Sequence, residues 1–132
     1  MTTIKSYTDL EQSKKLAEIL PIESADMRYG YIAPYDYSDR MYDGGYDEIP
    51  YPKDFLIKNP NFSANEYDAE LPCWSLAALF SALPKSARLE MGKATELYRV
   101  SLPVELEASD WYINPVDACY EMIIKLHEQK LL

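Results

Sequence analysis

Two thiols, one imidazole, a run of carboxylates and a dense set of tyrosines are the groups in this chain that could do chemistry. Cys73 falls in Leu71 to Leu83 (LPCWSLAALFSAL), where Leu76, Leu79, Phe80 and Leu83 stand at i, i+3, i+4 and i+7 and predict a buried helix. A thiol in the first turn of such a helix would feel the positive end of its dipole, which lowers a thiol pKa and makes a nucleophile. Its base would have to be His127, the single histidine, because general-base activation needs an imidazole or a comparable group within hydrogen-bond reach. The plainer reading makes Cys73 a small space-filling residue beside Trp74 and His127 a structural residue near a helix end. No Ser/His/Asp order and no HExxH spacing accompanies them.

Asp36, Asp39, Asp43 and Asp47 with Gly44 and Gly45 invite a calcium reading. Laid on the calcium-loop pattern from Asp39, the third position is Met41 and the twelfth, which requires a carboxylate, is Pro50. That pattern fails twice. With one histidine and two cysteines 46 positions apart, no transition-metal ligand spacing is present either, and no cofactor is expected.

The tyrosines remain. Seven of the twelve lie between Tyr29 and Tyr51, interleaved with Asp36, Asp39, Asp43, Asp47 and Glu48. Tyrosine offers a large amphipathic contact area at low entropic cost, as binding surfaces require. The partner-binding residues expected from this pattern are Tyr35, Tyr37, Asp39, Tyr42, Asp43, Tyr46 and Asp47, within a contact segment from Tyr29 to Asp54. The alternative is that several of the rings pack on a sheet and the others decorate a loop.

The elements that must position these groups can be read in outline. Thr8 to Leu20 predicts a short amphipathic helix, with Thr8 and Glu11 at capping-box spacing and Pro21 as its stop. Met27 to Ala33 predicts a strand that bends or bulges at Gly30. The excursion at 34–72 holds five of the nine prolines and three basic against nine acidic residues. Within it Lys53 to Ile57 could form a short strand, and Ser63 with Glu66 a second capping box. Leu97 to Leu102 and Trp111 to Ile113 predict an antiparallel hairpin. Asn114 as N-cap, Pro115 at the first helical position and Asp117 in the first turn open a final helix that runs to about Gln129. Its apolar stripe would hold Val116, Cys119, Tyr120, Ile123, Leu126 and His127. The whole predicts an α+β fold, about three helices on a small antiparallel sheet, as a single domain over 1–132. One core is expected, containing Leu76, Leu79, Phe80, Trp111, Val116, Cys119 and Ile123.

Composition narrows the partners. The 132 residues are 48% hydrophobic and 27% charged, the make-up of an ordinary globular domain. The net charge of -9 with no segregated basic patch argues against direct nucleic-acid binding. No apolar run is long enough for a membrane span, and the first 30 residues carry acids where a signal peptide would carry its apolar stretch, so a cytoplasmic location with reduced thiols is expected.

Three segments, SKKLAEILPIESADM, LPCWSLAALFSALP and NPVDACYEMIIKLHEQ, together resemble a family of small uncharacterised proteins carried by prophages and other mobile elements of gut bacteria. The resemblance spans the chain, implies no activity and carries over no functional residue. Cys73 and Cys119 stand where many of those relatives are expected to carry alanine, which tells against a thiol function. The function expected is a non-enzymatic accessory or interaction protein, with an unknown protein partner and room for self-association. An acidic decoy of a nucleic-acid-binding protein and a small thiol enzyme using Cys73 are the alternatives.

Overall fold

The computed structural model describes residues 5–32, 35–37, 40–42, 45–46, 49–52, 69–92, 94–102 and 110–131, with backbone alone at 31–32, 35–37, 40–42 and 69–70. The fold is α+β, with three α-helices and small antiparallel ladders among these residues.

Helix α1 (Leu10–Ala17) opens on a reciprocal capping box. The Asp9 carboxylate accepts from the Gln12 N–H at 2.8 Å, and the Gln12 side chain accepts from the Asp9 N–H at 3.2 Å. The cap is therefore one residue later than the spacing of Thr8 and Glu11 predicts, because Thr8 is drawn fully inside. Leu16 and Leu20 are buried and Ile19 half-buried, as the stripe requires.

Strand β1 (Met27–Ile32) is the spine of the largest sheet. Strand β6 (Ala69–Cys73) pairs with it from Met27 opposite Cys73 to Tyr31 opposite Ala69 without interruption. Gly30 takes an ordinary place opposite Glu70, so the bulge expected there is absent. On the other side of β1, strand β4 (Gly45–Tyr46) pairs with its outer end and strand β5 (Tyr51–Pro52) with its inner end. Between them the returning chain carries two residues more than the ladder uses, with Ile49 exposed and Pro50 buried at the step. Pro52 and Pro72 both lie on strands flanking β1, where a residue without an N–H is tolerated. Strands β2 (Tyr35–Tyr37) and β3 (Arg40–Tyr42) form a further antiparallel pair. The excursion is thus richer in strands than its prolines suggest, because tyrosines alternating with other residues suit an extended chain. The expected strand at Lys53 to Ile57 and cap at Ser63 to Glu66 lie outside the described residues.

Helix α2 (Leu76–Ala82) is shorter than the predicted Leu71 to Leu83. Ser75 is its N-cap, accepting from the Ala78 N–H, and the Asp26 carboxylate in turn accepts from the Ser75 N–H and hydroxyl. Leu71 to Cys73 belong to β6 instead, as the extended bias of a residue preceding proline favours. Leu79 and Leu83 are buried and Leu76 half-buried, but Phe80 is 36% exposed and stands outside the core.

The hairpin also differs from expectation. Strand β8 (Tyr98–Ser101) pairs with β7 (Arg88–Met91) in full register, from Arg88 opposite Ser101 to Met91 opposite Tyr98. The return at Trp111 to Ile113 contributes a single bridge, Tyr98 with Tyr112, closed by two N–H···O bonds of 2.7 Å. Tyr112 packs inward. Trp111, its neighbour in an extended segment, is 41% exposed and carries Arg99 over its ring at 4.5 Å.

Helix α3 (Pro115–Glu128) begins as predicted, the Asn114 side chain accepting from the Asp117 N–H at 3.0 Å with Pro115 at the first position. Its buried face holds Val116, Ala118, Cys119, Met122, Ile123 and Leu126. The stripe is therefore rotated slightly from the expected one, leaving Tyr120 half-buried and His127 exposed.

Among the described residues, buried side chains form two clusters rather than one core. The larger gathers Leu16, Trp74, Leu79, Val100, Cys119, Met122 and Ile123; the smaller gathers Tyr29, Leu71 and Cys73, with Tyr7, Leu10, Met27 and Tyr46 at its rim. They meet at Cys73 and Trp74, because consecutive residues of an extended chain point to opposite sides.

Candidate functional site

Tyrosines recur in two strand pairs. Tyr31 stands opposite Tyr46 in the β1–β4 pair, and Tyr35 opposite Tyr42 and Tyr37 opposite Arg40 in the separate β2–β3 pair. Positions 29 and 31 are two apart in β1, and 35 and 37 two apart in β2, so each of these two sets shares a face of its own strand. Tyr29 is 2% exposed and donates its phenol hydrogen to the Thr8 carbonyl at 2.8 Å. Asp36 and Met41 are opposite one another at positions of the other face of the β2–β3 pair.

Of the seven residues predicted to bind a partner, Tyr35, Tyr37 and Tyr42 lie in the β2–β3 pair by backbone position, and Tyr46 is described with its side chain in β4. Asp39, Asp43 and Asp47 lie outside the described residues. Tyr46 is half-buried, packs on the smaller cluster and has the Lys14 ammonium 5.8 Å from its ring centroid.

The nucleophile argument for Cys73 loses its basis. The residue ends a strand rather than opening a helix, and it is fully buried. Around it the Thr8 hydroxyl shares a hydrogen bond with the Ser13 hydroxyl at 2.7 Å, accepts from the Trp74 N–H at 3.1 Å and approaches the Cys73 Sγ at 3.6 Å. Burial raises the Cys73 thiol above its ordinary value, and hydrogen bonds from Thr8, Ser13 and Tyr29 offset this only in part. Cys119 is pushed up to about 12 by burial alone. His127 is exposed on α3. Both thiols are free, buried and held protonated at neutral pH.

Two other surface features were missed by sequence reasoning. Asp110, Tyr112, Glu121, Ile124, Lys125 and Glu128 line a hollow of about 250 Å³. The Glu121 carboxyl is raised by its partial burial and then by the negative charges of Asp117, Asp110 and Glu128. A raised carboxyl pKa favours the protonated form in the folded protein, so its stabilising share is whole below the ordinary carboxyl value and lost as pH rises. Glu121→Gln is accordingly expected to raise the melting temperature at pH 7 and to leave it nearly unchanged at pH 4. An equal shift at both pH values would remove charge as the cause. The second feature is an apolar shelf formed by Leu76, Ala77, Phe80 and Leu89. Among the described residues no group of three or more His, Cys, Asp or Glu is placed to hold a metal ion, and no helix is long and apolar enough to cross a membrane.

Compared with known proteins, the chain matches no family model, and no curated protein or solved structure matches it at a significant level.

Proposed function

We propose that this protein is a non-enzymatic binding module, an accessory protein of mobile-element origin, that meets a protein partner through 29–54. The supporting observation is the pairing register, which sets Tyr31 opposite Tyr46 in one strand pair and Tyr35 opposite Tyr42, beside Tyr37, in another. Aromatic side chains set at regular intervals on a strand pair form a preorganised contact surface, and preorganisation is what converts contact area into affinity. The two thiols, buried and protonated, leave the alternative of a thiol enzyme without a competent nucleophile.

The test is a photo-cross-linking amino acid placed at position 40, opposite Tyr37, and activated in the native host. A single partner cross-linked through this position is the expected result, lost when Tyr35, Tyr37 and Tyr42 are changed together to serine. That triple variant should melt within a few degrees of the parent. A cross-link that survives the triple change, or a variant that no longer folds, would move the contact elsewhere or return these rings to the core.

A further inference from the structure

We infer that the open edge of β7 is a self-association surface, at which a second copy of this chain adds its own β7 antiparallel to the first about a two-fold axis at Leu89. This contact is separate from the one proposed at 29–54. Among the described residues β7 has a strand neighbour on one side only, β8. The Gly92 N–H donates to the Leu97 carbonyl at 2.8 Å, in step with the register that sets Glu90 opposite Arg99 and Arg88 opposite Ser101. Bonded and non-bonded pairs alternate in an antiparallel ladder, so the backbone groups of 88, 90 and 92 serve β8 while those of Leu89 and Met91 point to the open side. A row of unpaired N–H and C=O groups is a template for another strand.

The side chains of β7 decide which strand fits. Leu89 and Met91 share one face, Arg88 and Glu90 the other. Centred on Leu89, two copies exchange both leucine backbone bonds, and Arg88 faces Glu90 of the second copy, twice by symmetry, at the non-bonded positions where side chains approach most closely. Centring on Glu90 sets two glutamates directly opposite, which destabilises a strand pair. Centring on Met91 sets Glu90 opposite Gly92 and leaves Arg88 facing Ala94. One register is therefore self-complementary. Arg88 is exposed, so its guanidinium can reach a carboxylate across the edge. The stretch 84–102 carries four basic against two acidic residues in a chain of net charge -9, so two copies meeting here do not bring acid against acid. Leu89 also lines the apolar shelf with Leu76, Ala77 and Phe80, and Leu89 and Met91 of the second copy arrive on that same side of the sheet. Met91, 62% exposed, and Phe80 thereby gain cover. So short a ladder makes a small interface, and the dimer is weak and concentration-dependent.

The test follows the full chain by sedimentation and by amide spectra from about 10 µM to about 1 mM. The parent should pass from monomer to dimer, with concentration-dependent shifts centred on 88–91 and around Leu76 and Phe80. In a mixture of isotope-labelled and unlabelled chain, the Hα of Arg88 in one copy should contact the Hα of Glu90 in the other. Arg88→Glu places acid against acid at both crossings and should weaken association at least about 10-fold. Glu90→Arg should do the same, and an equimolar mixture of the two variants should restore the dimer, because each crossing then joins opposite signs again. Met91→Pro removes an outward N–H while sparing the bonds to β8, and should weaken association with the amide pattern of β8 preserved. That variant and Arg88→Glu decide the matter even if Glu90→Arg, which gives up the bonds to Arg99 and Ser101, does not fold. A parent that stays monomeric at about 1 mM, an Arg88→Glu variant that associates as the parent does, or shifts confined to the strands at 29–54 overturns the inference.

Discussion

Thr8→Val is expected to destabilise the fold by about 2 to 4 kcal/mol, seen as a fall in the urea midpoint with an unchanged slope. The exchange is nearly isosteric, so packing is preserved and the hydroxyl alone is removed. That hydroxyl accepts the Trp74 N–H at 3.1 Å and pairs with the Ser13 hydroxyl at 2.7 Å, all at sites closed to water. A buried donor left without its acceptor loses the full desolvation free energy, about 1 to 3 kcal/mol per group. Thr8→Ser keeps the hydroxyl and gives up only a methyl group, for about 1 kcal/mol. A valine variant as stable as the serine variant would show that the network contributes nothing.

The second large effect is a loss of stability at alkaline pH. Below pH 9 the thiol of Cys119 is protonated in both the folded and the unfolded chain, and its stabilising share is whole. As pH rises from its ordinary value of 9 toward about 12, the unfolded chain releases this proton while the folded one retains it. Each such group tilts the balance by about 1.4 kcal/mol per pH unit. Cys73 acts in the same direction from the same onset, and Tyr29, raised by burial and by the nearby Cys73 and Tyr7, joins above pH 10. Urea unfolding under reducing conditions between pH 8 and 10.5 should show stability falling steeply. In Cys119→Ala the fall should be shallower by about one proton, whatever its stability at pH 8. An identical pH slope in the two proteins would contradict a protonated buried thiol.

What could be read in advance depended on whether the signal was local. Helix α3 was legible because Asn114, Pro115 and Asp117 act within one turn of each other and the apolar repeat has room to declare itself. Helix α2 was overextended because Leu71 and Cys73 fit a helical count, while their strand role is set by pairing with Met27 and Tyr29, more than forty residues away. Strand β7 escaped because Arg88 and Glu90 bracket a single leucine. Its reason for being extended lies across the ladder, where Glu90 accepts from Arg99 at 2.7 Å and from Ser101 at 2.8 Å. Those two bonds also hold the Glu90 carboxyl below its ordinary value. Composition directed attention to the tyrosine segment. The register that aligns Tyr35 with Tyr42 belongs to strand pairing and to no single stretch of residues.

The meeting of the two clusters at Cys73 and Trp74 has a bearing on how the molecule comes apart. Neighbouring residues joined by one peptide bond cannot separate, so a side chain withdrawn from one cluster drags at the wall of the other. The segment at Ser6 to Thr8 is tied across the same place, its groups bonded to Trp74 and Leu76. Local opening of either half is thereby transmitted rather than absorbed. Two pools of buried side chains with one shared clasp should behave as a single cooperative unit that opens all at once or not at all.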